Sequence, residues 1–245
     1  MNFSHICIGG GITGIETTIQ LVENYYKNQK NNKFKRLSIA VIDKNPNNIP
    51  GGVAYGLKSS KFGYFNNPIR LSPKSFQDWL YAKKNKLKII KYLELKGGKT
   101  GKKWIKKNKK KLLSAKKKDL AELYVPRAIS NTWMEEKLIL ILNKIRKKKY
   151  NCNISFFKGE VISILKEKNG LKTIYFKKNV CKKLNLIIKK NSLKQIDFIE
   201  GKNFKKLKSF TQSIGLGLPP PKQLANKSVI KNKNYIWDFY AEGST

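Results

Sequence analysis

Histidine occurs once in this chain of 245 residues, as His5, and arginine only at Arg36, Arg70, Arg127 and Arg146. A single histidine excludes a Ser-His-Asp triad anchored elsewhere in the chain and any metal centre built on several imidazoles. Acids are scarce too: 15 Asp plus Glu stand against 53 Lys plus Arg, a net charge of +38. Cys7, Cys152 and Cys181 are odd in number and share no short spacing, which excludes a disulfide framework and a zinc knuckle and fits a reducing cytoplasm. No apolar run approaches the roughly 20 residues that span a bilayer, and Met1 to Gly14 is too short and glycine-rich for a signal peptide. The expectation is a soluble, cytoplasmic protein with no metal and no membrane partner.

Lysine is what the chain has in quantity, since 53 basic residues less four arginines leaves 49. Arginine's planar fork suits bidentate recognition of phosphate and guanine, whereas lysine spread over solvated faces costs little. Two origins of the charge stand side by side: compositional drift, or a surface that attracts nucleic acid without sequence preference. With 40% hydrophobic and 11% aromatic residues the chain can bury an ordinary core. Its length suits a single domain over residues 1–245.

Phe3 to Ile8 is a compact apolar run that stops at Gly9-Gly10-Gly11, and Ile12 to Tyr26 carries apolar residues at helical spacing, predicting strand, turn and helix. Leu37 to Ile42, ending in Asp43 and the turn-forming Asn45-Pro46-Asn47-Asn48, predicts a buried parallel strand that completes a βαβ unit. Phe76, Trp79 and Leu80 mark a helix after Ser75. Residues 82–118 hold 17 lysines and one acid, Glu94, and read as an insert of solvated helix and loop, in which Trp104 can stack on a base. Asn131 to Lys149 is a clearer helix with a basic last turn. Beyond Cys152 the period changes. Ile154–Leu165 and Leu171–Phe176 flank the Lys168-Asn169-Gly170 turn as a hairpin, with further strands at Leu184–Ile188, Ile196–Ile199 and Phe210–Leu216. The fold class that follows is α/β: a Rossmann-like dinucleotide-binding fold with a mainly parallel sheet, a helical lysine-rich insert at 82–118 and a small β appendage at 152–200.

Gly9-Gly10-Gly11-Ile12-Thr13-Gly14 satisfies G-x-G-x-x-G directly after a strand and at the start of a helix, the context that motif requires. Gly9 permits the tight turn, Gly11 lets backbone approach a pyrophosphate, and Gly14 lets helix and strand pack closely. The phosphates then sit at the positive end of the helix. Asp43 would accept hydrogen bonds from ribose hydroxyls and disfavours a 2′-phosphate, so FAD or NAD is preferred over NADP. It lies 34 positions after Gly9, a separation that the polar stretch Tyr25 to Lys35 accommodates by looping out.

Further segments follow in series: Val41-Ile42-Asp43-Lys44, Gly51-Gly52-Val53-Ala54-Tyr55-Gly56, Phe65-Asn66-Asn67-Pro68-Ile69-Arg70-Leu71-Ser72, Phe76-Gln77-Asp78-Trp79-Leu80, Tyr124-Val125-Pro126-Arg127 and Gly159-Glu160-Val161. With the glycine motif, their order and spacing over residues 3 to about 165 resemble the FAD/NAD(P)-binding proteins grouped with FAD-dependent urate hydroxylase and aspartate N-monooxygenase. A weaker echo follows at Gly215-Leu216-Gly217-Leu218-Pro219-Pro220-Pro221. The resemblance implies FAD as cofactor, with Asp43 on the ribose and Lys44 beside it. It brings Gly52, Tyr55 and Asn66 near the flavin and the backbone around Val161 near the adenine. Tyr55 serves equally well as amphipathic packing. Arg127 pairs with either a phosphate or a structural carboxylate.

In such enzymes the flavin carries the redox step, with NAD(P)H as reductant and oxygen as the second substrate. No catalytic side chain and no small-molecule substrate can be named. No second G-x-G-x-x-G is present, and the chain ends soon after its proline run where relatives continue. A truncated product, one half of a split protein with a second subunit, and a non-catalytic dinucleotide-binding remnant therefore stay open. A lysine-rich nucleic-acid-binding protein is the third alternative.

Overall fold

The computed structural model describes residues 1–28, 36–56, 63–147, 150–189, 192–198 and 203–214. In chain order the elements are β1 (Asn2–Ile8), α1 (Ile12–Lys27), β2 (Leu37–Asp43), α2 (Gly52–Tyr55), α3 (Lys74–Tyr81), α4 (Lys83–Lys96), α5 (Gly98–Leu113), α6 (Lys117–Ala121), α7 (Ala128–Arg146), β3 (Cys152–Lys166), β4 (Lys172–Lys189), β5 (Ser192–Phe198) and β6 (Lys206–Ile214). The described residues divide into two compact units, those within 1–52 and 134–214, and those within 53–133.

The first unit is built on the sheet β3-β2-β1-β6-β4-β5. β1 pairs in parallel with β2 and β6, and β2 in parallel with the first half of β3, from Leu37↔Cys152 to Asp43↔Lys158. From Phe156 onward β3 also pairs antiparallel with β4, and β4 in turn pairs with β5 and β6. Followed from strand to strand, β1-β2-β3-β4-β6 returns to its start as a closed circuit. Phe3, Ile6, Ala40, Ile42, Phe157, Ile174, Phe176, Cys181 and Leu207 form one buried cluster drawn from all five of those strands. On α1, Ile15, Ile19 and Val22 are fully buried, each worth roughly 1.5–3 kcal/mol of transfer free energy. A strand covered on both faces needs apolar residues at consecutive positions, and Ile39 to Ile42 supplies them.

The glycine turn, α1 and β2 stand where the periodicity predicts them. β3 to β4 forms the hairpin around Gly170, whose φ is +80°. The segments expected as two strands, 171–176 and 184–188, are one strand, β4. They are separated by a bulge in which Lys178 and Asn179 take φ of 54° and 52° before pairing resumes at Cys181↔Gly159. β6 begins four residues before its expected start at Phe210; Ile199, Leu216 and the proline run lie outside the described residues. α7 begins three residues before Asn131.

In the second unit Phe76 is the hub of an aromatic cluster, with Phe65, Trp79 and Trp133 at centroid separations of 5.5, 5.8 and 5.2 Å. The insert is more ordered than the solvated helix and loop expected of it. α4, α5 and α6 bury Ile89, Leu93, Ile105, Leu112 and Leu120. Backbone meets backbone where they turn, since a Cβ on Gly101 would lie 2.8 Å from the Leu93 carbonyl oxygen. Lys86 is buried on α4 and donates to the Ser114 carbonyl at 2.6 Å. Trp104 is not a free stacking platform: its ring lies against Tyr64 and its Nε1 donates to the Tyr124 carbonyl. Among the described residues no helix is long and apolar enough to cross a membrane.

Candidate functional site

β1 ends at Ile8 and the chain reverses through Gly9, whose φ of 101° favours glycine. Gly9 N–H donates to the Ile42 carbonyl at 2.7 Å, tying the turn to the end of β2. Gly11 caps α1 in an extended conformation, and the Ile15 N–H to Gly11 carbonyl bond at 2.9 Å opens the helix. No side chain caps this end and no acid occupies the first turn. The amides of Ile12, Thr13 and Gly14 therefore precede the first intrahelical bond and point out of the helix, at the end where the dipole is equivalent to about half a positive charge. Gly14 is required by packing: a Cβ there would overlap the Gly9 carbonyl oxygen and come within 2.9 Å of Cys7 Sγ.

Asp43 closes the other side. Its Oδ2 accepts from Gly10 N–H at 2.7 Å and its Oδ1 from Asn45 N–H at 2.7 Å. Burial pushes its carboxyl above the usual range, against the two amides and the neighbouring Lys44 ammonium, which favour the anion. Each oxygen keeps a further lone pair, so the carboxylate can hold the glycine turn and still accept from a hydroxyl. That anchoring role is not legible in the sequence, where the only signal is an acid at a strand end facing a glycine turn. Ile49 covers Gly10, and Gly52, with φ of 70°, brings its backbone against Gly11, where a Cβ on Gly52 would stand 3.1 Å from Gly11 Cα.

These features fit a dinucleotide. Uncapped amides in the first turn suit a diphosphate, and a part-buried carboxylate at the neighbouring strand end suits a ribose diol. Gly9, Gly10, Gly11, Ile12, Thr13, Gly14, Asp43, Lys44 and Gly52 are brought together in the first unit. Val161 lies in the same unit on β3, opposite Phe176 and between two register shifts of the β3–β4 ladder.

Tyr55, Asn66 and Arg127 meet in the second unit. Arg127 Nε donates to the Tyr64 carbonyl at 2.7 Å, its Nη2 to Asn66 Oδ1, and its N–H to the Gly63 carbonyl at 2.9 Å. Its guanidinium lies 6.0 Å from the centre of the Tyr55 ring. The acceptors on its side chain are thus a carbonyl and an amide oxygen, not the carboxylate offered as its structural partner. The bond from Arg127 fixes which end of the Asn66 amide is oxygen, and so turns its nitrogen, a donor, the other way.

His5 stays inside the fold. Thr211 Oγ1 donates to the Ser4 carbonyl at 3.1 Å, so His5 Nδ1 is the donor to Thr211 Oγ1 at 2.8 Å, and Nε2 accepts from Ser213 Oγ at 3.0 Å. Burial, and then Lys172, lower its pKa, keeping the ring neutral. Among the described residues no group of three His, Cys, Asp or Glu could hold a metal ion.

A family model described as FAD-NAD(P)-binding matches residues 6–183. No match is found among the curated proteins. Among solved structures, an open crystal structure of cyclohexanone monooxygenase is similar over 92% of this chain and 29% of its own length, at 13% identity and a TM-score of 0.41. An ε-caprolactone-bound structure of cyclohexanone monooxygenase in the Loose conformation is similar over 89% and 27%, also at 13% identity and 0.41. The chain spans less than a third of either.

Proposed function

The chain belongs to the FAD-NAD(P)-binding family, and on that premise we propose that it is an FAD-binding oxidoreductase module of the monooxygenase-like class, using NAD(P)H and oxygen. The observation that carries the FAD site is the uncapped first turn of α1 beside the Asp43 carboxylate, 2.7 Å from Gly10 N–H. The finer assignment, toward urate hydroxylase and aspartate N-monooxygenase, rests on the series of segments from Cys7 to Val161. FAD, when bound, supplies the redox chemistry. The amides of Ile12 and Thr13 hold the diphosphate, Asp43 accepts from the ribose hydroxyls, and the Val161 backbone serves the adenine. The resemblance adds Asn66, whose side chain Arg127 holds within the second unit, as a polar group for the flavin edge.

The test is the cofactor itself, released from purified protein and separated by chromatography. FAD at about one per chain is expected, and Gly11→Asp should abolish it by setting a carboxylate against the diphosphate. Protein that carries no flavin and cannot be reconstituted with FAD would overturn the reading. FAD that is bound but neither reduced by NADH or NADPH nor linked to oxygen consumption would instead mark a non-catalytic module or one subunit of a pair.

A further inference from the structure

We propose that the outer face of α5 binds the phosphate backbone of a nucleic-acid duplex, independently of the dinucleotide site. α5 reads GKTGKKWIKKNKKKLL and contains no acid. Its eight lysines, Lys99, Lys102, Lys103, Lys106, Lys107, Lys109, Lys110 and Lys111, are all exposed. No ion pair among the described residues engages any of them.

What the structure adds to composition is rigidity and direction. Gly101, Ile105 and Leu112 are buried within the unit, so the helix is pinned on its apolar side and its lysines are confined to the outer arc. Sixteen residues at 1.5 Å each make a rod of about 24 Å, which carries one lysine per roughly 3 Å. A duplex strand carries one phosphate per about 3.4 Å of axis, so the two charge densities match along the length of the helix. A lipid surface fits less well, because a helix that lies in a membrane interface needs a free apolar face, and the apolar face of α5 is already used. α5 carries no arginine, and Trp104 is held by Tyr64 and Tyr124, so neither bidentate base recognition nor stacking is on offer. The binding is therefore to phosphates and without sequence preference.

The test must separate α5 from the background of a +38 chain. One variant carries Lys102→Gln, Lys106→Gln, Lys109→Gln and Lys110→Gln; a control of equal charge carries Lys166→Gln, Lys168→Gln, Lys178→Gln and Lys182→Gln, all exposed on β3, β4 and their turn. Binding of a fluorescein-labelled DNA duplex of about 24 base pairs is followed by anisotropy across a salt series. At about 0.1 M salt the α5 variant should bind at least tenfold more weakly than wild type. The slope of log K against log salt should shrink by about 3–4, at roughly 0.9 for each phosphate that is no longer neutralised. The control should stay within about threefold of wild type. Equal weakening in the two variants would overturn the proposal in favour of undirected whole-molecule charge. So would an absence of binding at about 0.1 M salt, or tighter α5-dependent binding to phosphatidylserine–phosphatidylcholine vesicles than to the duplex. Circular dichroism of both variants checks that the helices remain.

Discussion

At the scale of single residues, two glycines show that one substitution can fail for two reasons. At Gly14 the backbone conformation is ordinary but the space is taken, by the Gly9 carbonyl and Cys7 Sγ. At Gly170 nothing lies within 4 Å of a built Cβ, yet φ is +80°. Gly14→Ala should cost about 3 kcal/mol or more, on the scale of overpacking against backbone, and should abolish FAD binding. Gly170→Ala should cost about 1–2 kcal/mol and leave FAD binding intact. Denaturant melts and flavin content measured together check both; equal effects on flavin would show that the glycine motif is not the cofactor cradle. His5 gives the pH prediction. Its folded pKa is depressed by burial, so the unfolded chain takes up the proton first. The stability it contributes is present above about pH 6.5 and is lost as pH falls below that value. His5→Gln should lower stability by about 1–2 kcal/mol at pH 8 through loss of its two buried hydrogen bonds. It should also flatten the fall in Tm between about pH 6.5 and 5; a fall as steep as in wild type would show that His5 is not its source.

At the scale of elements, the lysine-rich insert is a folded part of the molecule held by its own apolar residues. Leu93 is fully buried on α4, with its carbonyl beneath Gly97 and Gly101. Leu93→Ala should therefore cost about 2–5 kcal/mol, whereas Leu95→Ala, on an exposed side chain of the same helix, should change stability by less than about 0.5 kcal/mol. Urea unfolding of both variants decides whether α4 is core or decoration, and similar midpoints would argue for decoration. Helical spacing around Ile89, Ile90 and Leu93 is present in the sequence, but the lysines between them outweigh it. Alternation reads β4 as two strands because the bulge at Lys178-Asn179 interrupts its period without ending its pairing with β3.

At the scale of the whole molecule, the charge of +38 opposes compaction wherever lysines crowd. Salt shortens the screening length from about 10 Å at 0.1 M to about 3 Å at 1 M. Raising sodium chloride from about 0.05 to 0.5 M should lift Tm by about 4 °C, or roughly 1–2 kcal/mol for a chain of this size; calorimetry showing a flat or falling Tm would remove self-repulsion from the account. The glycine turn, α1, β2 and the acid after it were legible in the sequence because each depends on neighbours a few positions away: glycine where φ must be positive, apolar residues at 3.6 spacing, a continuous apolar run for a strand covered on both faces. The pairing of β6 with β1 was not legible. It joins His5 to Thr211 across the chain, and no local signal specifies which distant strand fills that edge. The closed circuit of five strands, the anchoring of Gly10 by Asp43 and the choice of amide and carbonyl acceptors by Arg127 are of the same kind. Each joins residues far apart in the chain, and forms only when burial brings polar groups together and obliges them to find partners.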